Sequence, residues 1–163
     1  MNTNDPHAQF QIALRNGKFG TLRPQTQKAT VLQLLPEIEP GTVDGFYYQG
    51  NMEWLFAGER LERLRIQFDG SFRDTRELGQ LQLQWIAVLG QRPYREVLAL
   101  FQASGKTFRS LEYTDRTLGL HYFRAPSALL LDFDAEGICE RFTLEFEDRF
   151  GLLSGIRSLT LHD

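Results

Sequence analysis

The chain has a single cysteine, Cys139, so no internal disulfide can staple it and the cysteine spacings of a structural zinc site are missing. Its three histidines, His7, His121 and His162, lie far apart, and none has a second histidine three or four residues away to share a metal on one helix face. No stretch approaches the roughly 20 apolar residues of a membrane span, and no basic start leads into an apolar run. A reducing, cytoplasmic setting without membrane attachment is therefore expected. Eighteen basic residues stand against 21 acidic ones, a net charge of −3, with no basic block. That balance argues against nucleic acid as a partner, because phosphate neutralisation needs clustered Lys and Arg. A phosphate loop and a dinucleotide fingerprint are also missing, and Ser127 in "APSAL" lacks the glycine elbow that exposes a nucleophile. Neither a cofactor nor catalysis is expected. A chain of 163 residues buries roughly 70% of its unfolded surface, enough for one core.

What the chain does have is alternation. In "LERLRIQF", Leu64, Ile66 and Phe68 alternate with Arg63, Arg65 and Gln67; in "CERFTLEF", Phe142, Leu144 and Phe146 alternate with Arg141, Thr143 and Glu145. A period of two buries one strand face and wets the other. "DGFYYQ", "MEWLFA", "TFRSLEY", "LGLHYF" and "ALLLDF" are further strand candidates. "RPQTQKATVLQLLPEIEPG" reads as a helix with Pro24 in its first turn, Ala29, Val31, Leu32 and Leu35 on its apolar side and a stop at Pro36; "RPYREVLALFQASG" reads as one from Pro93 to Gly105. An Arg-Pro pair thus opens a helix in each half. Residues 9–15 and 81–89 fit strand or helix, the first leaning to strand, and "GIRSLTLHD" adds a candidate last strand. The polar connector "DGSFRDTRELGQ" separates the halves. The expected fold is α+β, two tandem repeats, each a helix packed on an antiparallel β-meander, over residues 1–70 and 71–163 or as one continuous domain.

"LLLDFDAEGICERFTLEF" has Asp132, Asp134, Glu136 and Gly137 at calcium-loop spacing. The twelfth position of that loop, which must supply a bidentate carboxylate, is Thr143, and the flanks alternate like strands. A hairpin turn at Ala135, Glu136 and Gly137 is the better account, matched in the first half by the reversal in "LFAGERL". The acidic group that ends with Glu145, Glu147 and Asp148 then reads as a solvated hairpin tip and sheet face, or as a landing patch for a basic partner.

The order "G-x-L-R-P … V-x-x-L-L-P … F-Y-Y-Q-G-N-M-E-W-L-F … L-E-R-L-R-I-Q-F" resembles small bacterial immunity-type proteins, which neutralise a toxin by binding it. The tandem arrangement resembles the proteinaceous β-lactamase inhibitors, which grip a loop of their target on a concave sheet. The resemblance implies a protein partner, such as a toxin, blocked by occlusion. An intracellular immunity type fits better than a secreted inhibitor, because paired cysteines and an export signal are not seen. From the strand parity itself, the candidate partner-binding residues are Tyr47, Tyr48, Arg63, Arg65, Gln67, His121, Phe123, Arg141 and Glu145. Adjacent Tyr47 and Tyr48 cannot both face inward, and an outward aromatic is a common interface anchor. The alternative is a small-ligand protein or enzyme with a pocket between the halves, using His121 and a carboxylate.

Overall fold

The computed structural model of the chain describes residues 5–69, 76–124 and 127–146, with backbone alone at 123 and 124. The candidate last strand, Glu147, Asp148 and the side chain of Phe123 lie outside the described residues.

The chain opens with a helix, α1 (Pro6–Asn16), where alternation had pointed to a strand. Phe10, Ile12 and Leu14 do alternate, but Phe10, Ala13 and Leu14 share a helix face and are buried, while Ile12 is exposed. The ends decide the outcome. The Asp5 carboxylate accepts from the His7 N–H, Pro6 fits the first turn, and Gly17 closes the helix in the left-handed conformation by donating to Ala13 O. α2 (Lys28–Leu34) starts later than Pro24 suggested. Here the Arg-Pro pair belongs to the preceding loop: the Arg23 guanidinium donates to the carbonyls of Gly20 and Leu22, and Thr26 Oγ1 accepts from the Arg23 N–H. Of the proposed apolar side, Val31 and Leu35 are buried and Ala29 is exposed.

The first meander follows, β1 (Glu39–Pro40), β2 (Phe46–Gln49), β3 (Met52–Ala57) and β4 (Arg60–Gln67). Part of the polar connector is helical, α3 (Arg76–Gln80), and a 3-10 helix at Gln84–Val88 replaces the ambiguous segment 81–89. Then come α4 (Tyr94–Ser104), which Pro93 does open, and the second meander, β5 (Phe108–Glu112), β6 (Leu118–Arg124), β7 (Ser127–Phe133) and β8 (Cys139–Glu145). All eight strands form one antiparallel sheet in the order β1-β2-β3-β4-β8-β7-β6-β5, an α+β fold.

The two meanders meet at β4 and β8, where Leu64 pairs with Leu144, Arg65 with Thr143 and Ile66 with Phe142. The seam is closed reciprocally: Phe68 donates to Glu140 O and Phe146 to Glu62 O. Glu62 and Glu140 are the extra residues of two β-bulges, skipped by the registers of β3 with β4 and of β7 with β8. Each hairpin is also tied to the residue that caps a helix. Gln27 bridges to Arg60 and Pro93 to Ile138; Leu61 donates to Thr26 O and Cys139 to Arg92 O. The turns differ in length. Gly58 and Glu59 join β3 to β4, whereas Ala135, Glu136 and Gly137 reverse the chain between β7 and β8, with Gly137 at φ 78°. In that turn Asp134 Oδ1 accepts from the N–H groups of Glu136 and Ile138, which commits its carboxylate to the backbone.

The helices pack on one sheet face. Trp85 meets Phe142 edge-on, Tyr94 meets Phe133, Phe101 meets Phe108, and the Tyr122 hydroxyl donates to Leu14 O. Register places Tyr47, Trp54, Leu64, Leu144, Leu129, Tyr122 and Phe108 in one row beneath them. Trp54, Leu64, Ile66, Phe68, Phe142, Leu144 and Phe146 are all buried, as their alternation predicts, and belong to one core with Phe10, Val31, Trp85 and Phe101. Cys139 is buried among them, and burial pushes its thiol far up, so it stays protonated and inert.

Candidate functional site

Every helix contact described above falls on one side of the sheet, so among the described residues the other side forms its own surface. Across it the register runs Tyr48, Glu53, Arg65, Thr143, Leu130, His121, Arg109. Neighbouring rows bring in Phe46, Leu55, Arg63 and Glu145 on one side and Gln67, Arg141, Asp132 and Gly119 on the other.

Parity divides the adjacent tyrosines. Tyr48 is on the helix-free face, 42% exposed and stacked on Phe46. Tyr47 is on the helix side, edge-on to Phe56 and under the Lys28 ammonium, which separates it from the other candidates. Tyr122 is likewise core, whereas His121 faces the opposite way.

The polar row expected to be wet is largely covered by its own side chains. Glu145 and Thr143 are buried, the Arg63 side chain is only 12% exposed, and Gln67 alone in the row is exposed. Arg63 donates to Glu53 Oε1 at 3.2 Å, lies 3.7 Å from Glu145 Oε1 and covers the Phe46 ring; Arg65 reaches the same Glu53 oxygen at 3.5 Å. Burial drives the Glu145 carboxyl up to about 7, against the opposing pull of Arg63 and Arg65.

On the far side of the seam, Tyr113 folds back over the sheet. Its hydroxyl donates to Asp132 Oδ1 at 2.8 Å and lies 3.0 Å from His121 Nε2, while Asp132 Oδ2 accepts from Arg141 Nε at 2.9 Å. With its proton aimed at Asp132, the Tyr113 oxygen accepts from His121 Nε2–H, so the neutral imidazole has Nδ1 as its acceptor. Burial holds His121 down at about 4, although Asp132 pulls the other way, and burial together with Asp132 raises the Tyr113 phenol. A neutral imidazole and a phenol that keeps its proton make this a fixed hydrogen-bonding group, poorly suited to proton abstraction at neutral pH.

Gly119 makes that arrangement possible. A Cβ there would stand 2.7 Å from the Tyr113 hydroxyl and 3.1 Å from its ring. Gly119→Ala is therefore expected to lift Tyr113 off the sheet, costing about 1–3 kcal/mol as an overpacked contact. With the ring displaced, the His121 pKa should rise towards its ordinary 6.5. Chemical denaturation and an NMR titration of the His121 ring check the two effects; an unmoved His121 titration would remove Tyr113 from its environment.

Between the two groups lies a cleft of about 560 Å³ across the seam, with Arg63, Arg65 and Glu145 on one wall, Tyr113, His121 and Asp132 on the other, and Thr143 and Leu130 beneath. The structure thus brings Arg63, Arg65, His121, Arg141 and Glu145 together around the cleft, leaves Gln67 and Tyr48 on the same face outside its lining, and sends Tyr47 to the core side. Sequence reasoning passed over Glu53, Tyr113 and Gly119 as members of this face, and met Asp132 only within the acidic group read as a hairpin tip and sheet face. A glycine inside the strand pattern "LGLHYF" was the available signal, because such a glycine marks a close approach. No group of carboxylate, histidine or cysteine side chains suited to a metal occurs among the described residues, and Asp132 and Asp134 are engaged as described. Nor, among those residues, is any helix long and apolar enough to cross a membrane.

No protein-family model matches the chain, and no curated protein matches its sequence. Its fold is similar to that of a DUF4309 family protein (YjgB) from Bacillus subtilis, with a TM-score of 0.52 and 13% identity, over 88% of this chain and 97% of that one.

Proposed function

We propose that the chain is a cytosolic binding protein that acts by occlusion, covering part of a partner protein, such as a toxin or an enzyme, with the helix-free face of its sheet. One observation carries this: a sheet face on which no helix packs among the described residues, where an aromatic pair, Phe46 and Tyr48, adjoins Arg63, Arg65 and a cleft. Aromatic and arginine side chains beside a recess are the composition of interface hot spots. The tandem-repeat reading belongs to the same proposal. The reciprocal seam bonds, the two Glu bulges and the two helix-cap bridges relate the meanders pairwise, and they support two helix-plus-meander units fused through β4 and β8. This is the arrangement implied by the likeness to immunity-type and β-lactamase inhibitor proteins.

The test is affinity capture from the source cell with wild type and a Tyr48→Ala/Arg65→Glu variant, followed by direct titration of the captured protein. Loss of about 2 kcal/mol, roughly thirtyfold in Kd, is expected for the variant at unchanged thermal stability. Equal affinity would exclude this face. A second reading, a small-ligand protein, draws on one observation of its own. The cleft crosses the seam between the halves, has His121, Asp132 and Glu145 in its walls, and falls in the volume range of ligand pockets, about 300–1,000 Å³.

A further inference from the structure

Resting on the occlusion reading, the placement of the arginines says what kind of partner one part of the cleft fits, within a lining that also has Asp115, engaged by Thr117, and Glu140. Arg63 and Arg65 share a single oxygen of Glu53, and Arg65 has the longer contact, 3.5 Å. The other nearby carboxyl on their wall, Glu145, is 3.7 Å from Arg63 and binds its proton unusually tightly, so it gives less than a full charge near neutral pH. Across the seam, Arg141 meets Asp132 through Nε, which leaves its terminal nitrogens beyond that contact. The Arg65 and Arg141 side chains are each about a third exposed, 34% and 36%, and are diagonal neighbours on one face: register puts Arg65 opposite Thr143, and Arg141 stands two residues before Thr143 on β8. Burial first, and then the neighbouring Arg63 and Arg141, disfavour the charge on Arg65, while Glu53 and Glu145 pull the other way. On the opposite wall His121 is more than nine-tenths buried, and its Nδ1, without a donor among the described residues, is closed to solvent.

We propose that the Arg65–Thr143–Arg141 side of the cleft receives the carboxylate of an Asp or Glu in an extended loop of the partner protein. A planar guanidinium matches a carboxylate through parallel N–H donors, and both arginines present ends to the same recess.

The probes are the blocked tripeptides acetyl-Gly-Asp-Gly-amide and acetyl-Gly-Asn-Gly-amide, with inorganic phosphate as a third arm, followed through the arginine Nε–H signals. Saturable shifts at Arg65 and Arg141 are expected with the Asp peptide, at least tenfold weaker with the Asn peptide and with phosphate. Arg65→Lys should weaken the Asp peptide several-fold while keeping charge and fold, and Arg65→Gln at least tenfold. Equal response to Asp and Asn peptides, equal binding of phosphate, or shifts no larger than those of exposed Arg95 would each overturn the assignment. The occlusion reading has a separate criterion, since it fails when a captured partner is indifferent to Tyr48 and Arg65, whatever the tripeptides do.

Discussion

Phe142→Ala is expected to destabilise the protein by about 4 kcal/mol, within the range for removing a fully buried aromatic ring. Phe142 is wholly buried, lies between Ile66 of the first meander and Leu131 of the second by register, and meets Trp85 edge-on at 6.0 Å. It therefore joins three parts of the core at once: both halves of the sheet and the helical layer. Leu64, which faces Leu144 across the same seam, should cost about 3 kcal/mol on truncation to Ala. Guanidinium denaturation followed by tryptophan fluorescence measures both. One cooperative transition, shifted in each variant, is the expected result, because Trp54 and Trp85 share one core. A transition that splits, with Phe142→Ala affecting one part only, would mean that the meanders are energetically separate units.

The second large effect is hidden in the unaltered protein. His121 titrates at about 4 when folded against an ordinary 6.5, so its contribution to stability is full above 6.5 and is lost as pH falls through that window. Glu145 titrates at about 7 against an ordinary 4.5, so its contribution is full below 4.5 and is lost as pH rises towards 7. Between pH 4.5 and 6.5 the two slopes oppose each other. Each amounts to on the order of 2 kcal/mol after allowance for solvent screening. Their surroundings are distinct: Arg63, Arg65 and Glu62 act on Glu145, Asp132 and Arg109 on His121. Glu145→Gln should therefore become more stable relative to wild type as pH rises through this window, and His121→Asn relatively less stable. Unfolding free energies measured at half-unit pH steps give the two difference curves. Curves parallel to wild type would show that neither group is buried in the manner described.

The strands of the seam were legible because their alternation is clean: nothing in "LERLRIQF" or "ERFTLEF" competes with a period of two. The first helix was not, since Phe10, Ile12 and Leu14 imitate a strand while Phe10, Ala13 and Leu14 make the true helix face. Asp5, Pro6 and Gly17 held the correct answer at its ends. For the candidate site, alternation assigned Arg63, Arg65, Arg141 and Glu145 to the right face and mistook how wet it is. Parity says which side a residue takes, not what folds across it. Tyr113 lies over Gly119 and meets Asp132 from a different strand, and Glu53 joins Arg63 and Arg65 by register. Such neighbours arise from strand pairing over long sequence separations, where a single chain gives no local signal. The reversal at Ala135, Glu136 and Gly137 was readable because a left-handed residue in a short loop calls for glycine.

The place of β8 has a consequence for the growing polypeptide. β4 pairs with β3 on one side and β8 on the other, yet β8 follows both the second helical segment and three further strands. While a ribosome is still making that stretch, β4 is an open edge, with its outward N–H and C=O groups available to any passing strand. Arg60, Glu62, Arg63 and Arg65 put charge of both signs along that edge, a recognised deterrent to intermolecular pairing. Arg63 and Arg65, which furnish the cleft in the finished fold, would thus also guard the nascent chain against aggregation until Cys139–Glu145 emerges. Removing several of them together should therefore lower the yield of soluble protein during synthesis more than it lowers the stability of whatever has already folded.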